Sequence, residues 1–92
     1  MTDQEVFEKN LILSTEFDRY ILEHPEVADK IPLNAQVVLL PEDDKELCRI
    51  NMQISEKQRE KRQQVVYVHI GTIAPPVSRL MDVNLEVKTE MR

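Results

Sequence analysis

Two apolar runs, Val37-Val38-Leu39-Leu40 and Val65-Val66-Tyr67-Val68-His69-Ile70, are separated by an acidic cap and a stretch with helical character. This arrangement leaves few folds open to the chain. Parallel strands cannot be joined by a tight turn, so a helix of this length between two strands predicts a parallel pair with a right-handed crossover. Residues 36–70 therefore read as a βαβ unit, and the chain as a small single α/β domain in the order α, short α, β, α, β, β.

The acidic cap is Pro41-Glu42-Asp43-Asp44. Asp43 is a good N-cap with Glu46 three residues on, and the surrounding negative charge suits the positive end of a helix dipole. Leu47, Ile50 and Ile54 predict the buried stripe of that helix, with Cys48 and Met52 at its margins. The helical run continues to near Gln64, but from Glu56 to Gln64 it offers no core residue, so this half projects into solvent or lies against a partner. In the second strand Val66, Val68 and Ile70 share one face and Val65, Tyr67 and His69 the other. Both faces are fairly apolar, which predicts a central strand covered on both sides.

The flanks can be read in the same way. Thr2 with Glu5 is a capping-box pattern, and a broad apolar face follows through Val6, Phe7, Leu11, Leu13, Phe17, Tyr20 and Ile21. Proline disfavours helical geometry in the residue before it, so this helix ends near Glu23 or His24. Pro25 opens a short helical turn that Pro32 closes. Beyond Gly71, Ala74-Pro75-Pro76 reads as an extended turn. Val83, Leu85 and Val87 then alternate with Asn84, Glu86 and Lys88, the pattern of an edge strand with one wet face. The expected organisation is one domain over residues 1–92, with an N-terminal helix (1–24), a βαβ core (36–70) and an extension with an edge strand (71–92).

Composition restricts function. A chain of 92 residues with a formal charge of −5 has a small core, and the acidic balance argues against general attraction to nucleic acid or anionic membrane. There is no long apolar segment, and the start Met1-Thr2-Asp3-Gln4-Glu5 is acidic where a signal peptide is basic, so a cytoplasmic location is expected. Cys48, the single cysteine, can form no internal disulfide, and one glycine, Gly71, excludes glycine-rich phosphate loops.

The run Asn10-Leu11, Ser14, Phe17, Tyr20, His24-Pro25-Glu26, Ile31-Pro32, followed by Leu39-Leu40-Pro41-Glu42-Asp43-Asp44 and Leu47, resembles a family of short prokaryotic proteins classed as a domain of unknown function. The likeness covers residues 8 to 70. It implies no reaction, cofactor or partner.

Four groups of side chains are candidates for chemistry. Glu42, Asp43 and Asp44 lie just past the carboxyl end of a strand, where open α/β sheets place ligands, and clustered carboxylates suit Mg²⁺; capping of the helix is the simpler role. Cys48 with His24 or His69 has the parts of a thiolate nucleophile, but a cysteine at the edge of an apolar stripe is more often a small hydrophobe. Tyr67 and His69 share a strand face and could border a small polar pocket. Lys57, Arg59, Lys61 and Arg62 form the one basic concentration. On a helix Lys57 aligns with Lys61 and Arg59 with Arg62, with Glu56 and Glu60 interleaved to pair with them.

No catalytic residue and no cofactor is assigned. The leading expectation is a non-enzymatic interaction or accessory protein, antitoxin-like in scale, that binds a protein partner or a second copy through the basic helix half or the edge strand. The alternatives are a metal-dependent enzyme or ligand-binding module built on Glu42–Asp44 and, more weakly, a nucleic-acid accessory using the basic helix half.

Overall fold

The computed structural model describes residues 1–89. Helix α1 spans Asp3–Glu23, α2 Pro25–Ala28, strand β1 Gln36–Pro41, helix α3 Lys45–Gln58 and strand β2 Val65–Ile70. The chain is a mixed α/β protein whose sheet is one parallel pair, with Gln36 opposite Val65 and Pro41 opposite Ile70.

The capping box at the start of α1 is present. The Thr2 hydroxyl accepts from the Glu5 amide at 3.1 Å, and the Glu5 carboxylate accepts from the Thr2 amide at 3.3 Å, which holds the Glu5 carboxyl below its ordinary range. At the other end the His24 amide donates to the Tyr20 and Ile21 carbonyls, and the His24 ring stacks on Tyr20 with centroids 4.1 Å apart. His24 Nδ1 lies 3.0 Å from the Tyr20 carbonyl oxygen, a contact that requires the proton on Nδ1. This is the helix-ending role that a histidine before proline suggests.

In a parallel pair each strand turns the amide and carbonyl of alternate residues toward its neighbour. The Gln36 amide donates to the Gln64 carbonyl and the Glu42 amide to the Ile70 carbonyl. The even residues of β1 therefore face β2, and Val37, Leu39 and Pro41 direct their backbone groups to the outer edge. Helix α3 lies along that edge: Asn51 Nδ2 donates to the Leu39 carbonyl at 2.8 Å and the Cys48 thiol to the Pro41 carbonyl at 2.8 Å. Pro41 brings no N–H, as suits a residue on an edge strand.

The apolar core is small: Leu13 of α1, Val38, Leu40 and Pro41 of β1, and Leu47 of α3 are buried. Beside them Asn51 and Ser55 are buried polar residues, and Ser55 donates to the Gln36 side chain at 2.8 Å. Asn10 and Asn51 exchange amide hydrogen bonds, both at 2.9 Å, and so tie α1 to α3. Lys9 to Asp44 at 2.9 Å and the N-terminal ammonium to Glu46 at 3.1 Å extend this polar seam.

Five sequence expectations are corrected. The side chain that caps α3 is Asp44, which accepts from the Leu47 amide at 3.1 Å, rather than Asp43; the chain enters the helix one residue later. The buried stripe of α3 is Leu47, Asn51 and Ser55, whereas Ile50 is half-buried and Ile54 exposed. Helix α3 stops at Gln58, well short of Gln64, and a turn closed by the Gln63 amide on the Glu60 carbonyl follows, with Arg62 at φ 67°. That left-handed position is usual for glycine or asparagine in such a turn, so the helix ends against some local strain. Strand β2 is not central, because among the described residues the sheet has two strands and no strand pairs with β2 on its outer side. Val83, Leu85 and Val87 form no strand and are exposed by 60%, 91% and 85%. An edge strand forms only where it lies against a neighbour, and among the described residues no strand lies beside these.

Candidate functional site

The outer edge of β2 is unpaired. By the same alternation, Val65, Tyr67 and His69 point their N–H and C=O groups away from β1. Among the described residues none of these six groups has a hydrogen-bond partner. Beside this edge lies a cleft of about 610 Å³, walled by Leu13, Phe17 and Tyr20 of α1 on one side and Val66, Val68 and Ile70 of β2 on the other. Val66, Val68 and Ile70 are half-buried while Tyr67 and His69 are exposed, so the apolar face of β2 turns toward α1. The site thus combines unpaired main-chain groups with an apolar trough, the two elements by which a sheet edge takes up an extended peptide.

A second groove, of about 360 Å³, runs along the outer edge of β1 between Phe7 and Leu11 of α1 and Ile54 of α3. Its backbone is closed to a strand only in part, since among the described residues the Val37 amide and carbonyl and the Leu39 amide have no partner. Pro41 has no donor, and the Leu39 and Pro41 carbonyls are already engaged by Asn51 and Cys48.

The candidates from sequence fall out as follows. Glu42, Asp43 and Asp44 follow β1, but Asp44 is held by Lys9 and by its capping bond. Among the described residues no three His, Cys, Asp or Glu side chains are grouped as a metal ion requires. The Lys9 ammonium and the Leu47 amide hold the Asp44 carboxyl below its ordinary range, and the same bond raises Lys9. His69 Nδ1 lies 3.5 Å from Glu42 Oε1, and both side chains are well exposed, so this pair contributes little.

Burial, and then the charges of Asp44, Glu42 and Asp43, push the Cys48 thiol up, and it donates to a carbonyl. This is the opposite of what a thiolate nucleophile needs. Tyr67 and His69 border the cleft beside β2. Lys57 lies in the last turn of α3, whereas Arg59, Lys61 and Arg62 follow the helix in the loop that leads into β2. The helical alignment expected of these four is therefore absent, but they stand at the start of the open edge. No helix is long and apolar enough to cross a membrane among the described residues.

Sequence reasoning did not find Asn10, Asn51 or Ser55. The signal available was the helical spacing of Leu47, Asn51 and Ser55, which is as regular as that of Leu47, Ile50 and Ile54.

The Asp44–Lys9 pair makes stability depend on pH. Asp44 is depressed on folding, so its contribution is present above the ordinary carboxylate range and is lost as pH falls through the folded value. Lys9 is raised, so its contribution is present below the ordinary lysine range and is lost as pH rises past the folded value. The melting temperature of Asp44→Asn should therefore lie below that of the native chain near pH 6 and approach it only in acid, at a pH below the lowered folded value of the Asp44 carboxyl, where native Asp44 is itself protonated. A gap that stays constant down to that pH would show that the charge of Asp44 contributes nothing.

Among the described residues, fold and site together define a small α/β protein with a two-stranded parallel sheet, one edge of which is partly covered by a helix and the other open. The chain belongs to a family of unknown function, DUF5647, whose model matches residues 5–83. No curated protein and no solved structure matches it.

Proposed function

We propose that this chain is a non-enzymatic protein-interaction module that binds an extended segment along the outer edge of β2. The observation that carries this reading is the row of unpaired backbone groups at Val65, Tyr67 and His69 beside the apolar cleft under α1. Main-chain pairing supplies affinity, and the cleft selects alternate apolar side chains. Lys61 and Arg62, at the start of the edge, favour acidic residues at one end of the partner segment.

The exposed surface supports this reading. The chain exposes 8401 Å², whereas a compact monomer of 10.8 kDa exposes roughly 5,500 Å². An excess of that order matches what obligate partners bury.

The test is fluorescence anisotropy with labelled peptides of alternating Val or Leu and polar residues. Tyr67→Pro removes an outward N–H and the phenol ring beside the cleft and leaves the ladder to β1 in place, so it should abolish binding while the circular dichroism spectrum is kept. Binding that Tyr67→Pro leaves unchanged would rule out the β2 edge.

A further inference from the structure

We propose that the occupant of the β2 edge is the segment Val83–Val87 of a second copy of this chain, exchanged reciprocally so that each copy completes the sheet of the other. This rests on the interaction reading above and names its partner.

The segment has the shape the site needs. Val83, Leu85 and Val87 alternate with Asn84, Glu86 and Lys88, so a strand laid beside β2 turns three apolar side chains into the cleft and three polar ones toward Tyr67, His69 and solvent. Charge agrees with one direction: a segment parallel to β2 sets its Asp82 beside Lys61 and Arg62. Among the described residues, two of the five outward groups of β1 are engaged and none of the six of β2, so β2 is the more open place to add a strand.

Geometry favours a second copy over the segment's own chain. The radius of gyration is 19.6 Å and the longest extent 76 Å, whereas a compact domain of this length has a radius near 12 Å. Residues 71–89 are exposed throughout; Thr72, Ile73 and Ala74 border the cleft beside β2, and Val83–Val87 does not. A parallel return to the same strand would need a crossover within residues 71–82, which hold Pro75-Pro76 and no helix, where such connections take about a dozen residues or more and are usually helical. Reciprocal exchange instead gives a two-fold dimer in which the same contact occurs twice. It also removes from water the large apolar side chains that the lone chain leaves exposed, among them Val77, Leu80 and Met81 near the crossing.

Light scattering on the full chain, with two variants, decides the matter. The native chain should have twice the monomer mass. Leu85→Asp spoils the segment and leaves the edge intact; Tyr67→Pro spoils the edge and leaves the segment intact. Each should weaken self-association by at least about a hundredfold and keep the circular dichroism of the fold. Mixed together they should form a heterodimer, because the segment of one fits the edge of the other. Leu85 is 91% exposed in the single chain, so its variant tests the idea even if the proline variant misfolds.

A native chain that stays monomeric at hundreds of micromolar overturns the exchange, and so does a dimer that Leu85→Asp leaves intact. A monomer that still binds extended peptides through Tyr67 ends this inference and preserves the interaction reading; a monomer that binds none ends both.

Discussion

Replacing Leu47 with alanine should destabilise the protein by about 3 kcal/mol, the usual loss when a fully enclosed leucine leaves a cavity. Leu47 is 2% exposed and is the largest side chain fully enclosed in the core. A domain of this size has about 5 to 10 kcal/mol in total, so one substitution removes a large share of it. The control is Ile54→Ala, at a position 38% exposed, which should cost under about 1 kcal/mol. Urea unfolding followed by circular dichroism reads both, with an unchanged slope and a lower midpoint for Leu47→Ala. Equal losses at the two positions would mean that α3 buries the apolar stripe Leu47, Ile50 and Ile54 after all.

Asn51→Ala should come next, at about 2 to 3 kcal/mol. The Asn51 amide makes two bonds with Asn10 and one with the Leu39 carbonyl, and its loss leaves that carbonyl and the Asn10 amide short of partners in a mostly dry seam. Asn10→Ala should cost less, because Asn51 keeps its bond to Leu39. A double-mutant cycle should then return a coupling of about 1 kcal/mol between the two asparagines. If Asn10→Ala costs as much as Asn51→Ala, the bond to the β1 edge contributes nothing.

This bond also bears on the proposed function. Asn51 and Cys48 occupy two carbonyls on the outer edge of β1, and Pro41 denies it a donor. One edge of the sheet is thereby partly protected from pairing with stray strands, while the other is left open. Under the proposed function, that asymmetry and the apolar cleft beside β2 direct a partner strand to the β2 edge.

Most of the secondary structure was legible in the chain because it rests on local chemistry. Thr2 and Glu5 satisfy helix-end amides whatever else the chain does, Pro25 stops α1 by steric clash, and β-branched runs at 37–38 and 65–66 mark strands that only a crossover can join in parallel. The acidic turn before α3 was legible too, to within one residue. Less of the candidate site could be read. Its defining feature is an absence of pairing along Val65, Tyr67 and His69, and no residue type encodes which side of a strand goes unpaired.

Local chemistry therefore settled the order and type of the elements and the parallel joining of the two strands, because caps, prolines and apolar periodicity act over a few residues. Only the folded chain decided which face of α3 is buried, because Asn51 and Ser55 are welcome inside only where Asn10, Leu39 and Gln36 wait to bond them. It also decided that β2 is an edge and that Val83–Val87 stays unpaired, because strand pairing depends on which backbone groups have already found partners elsewhere in space.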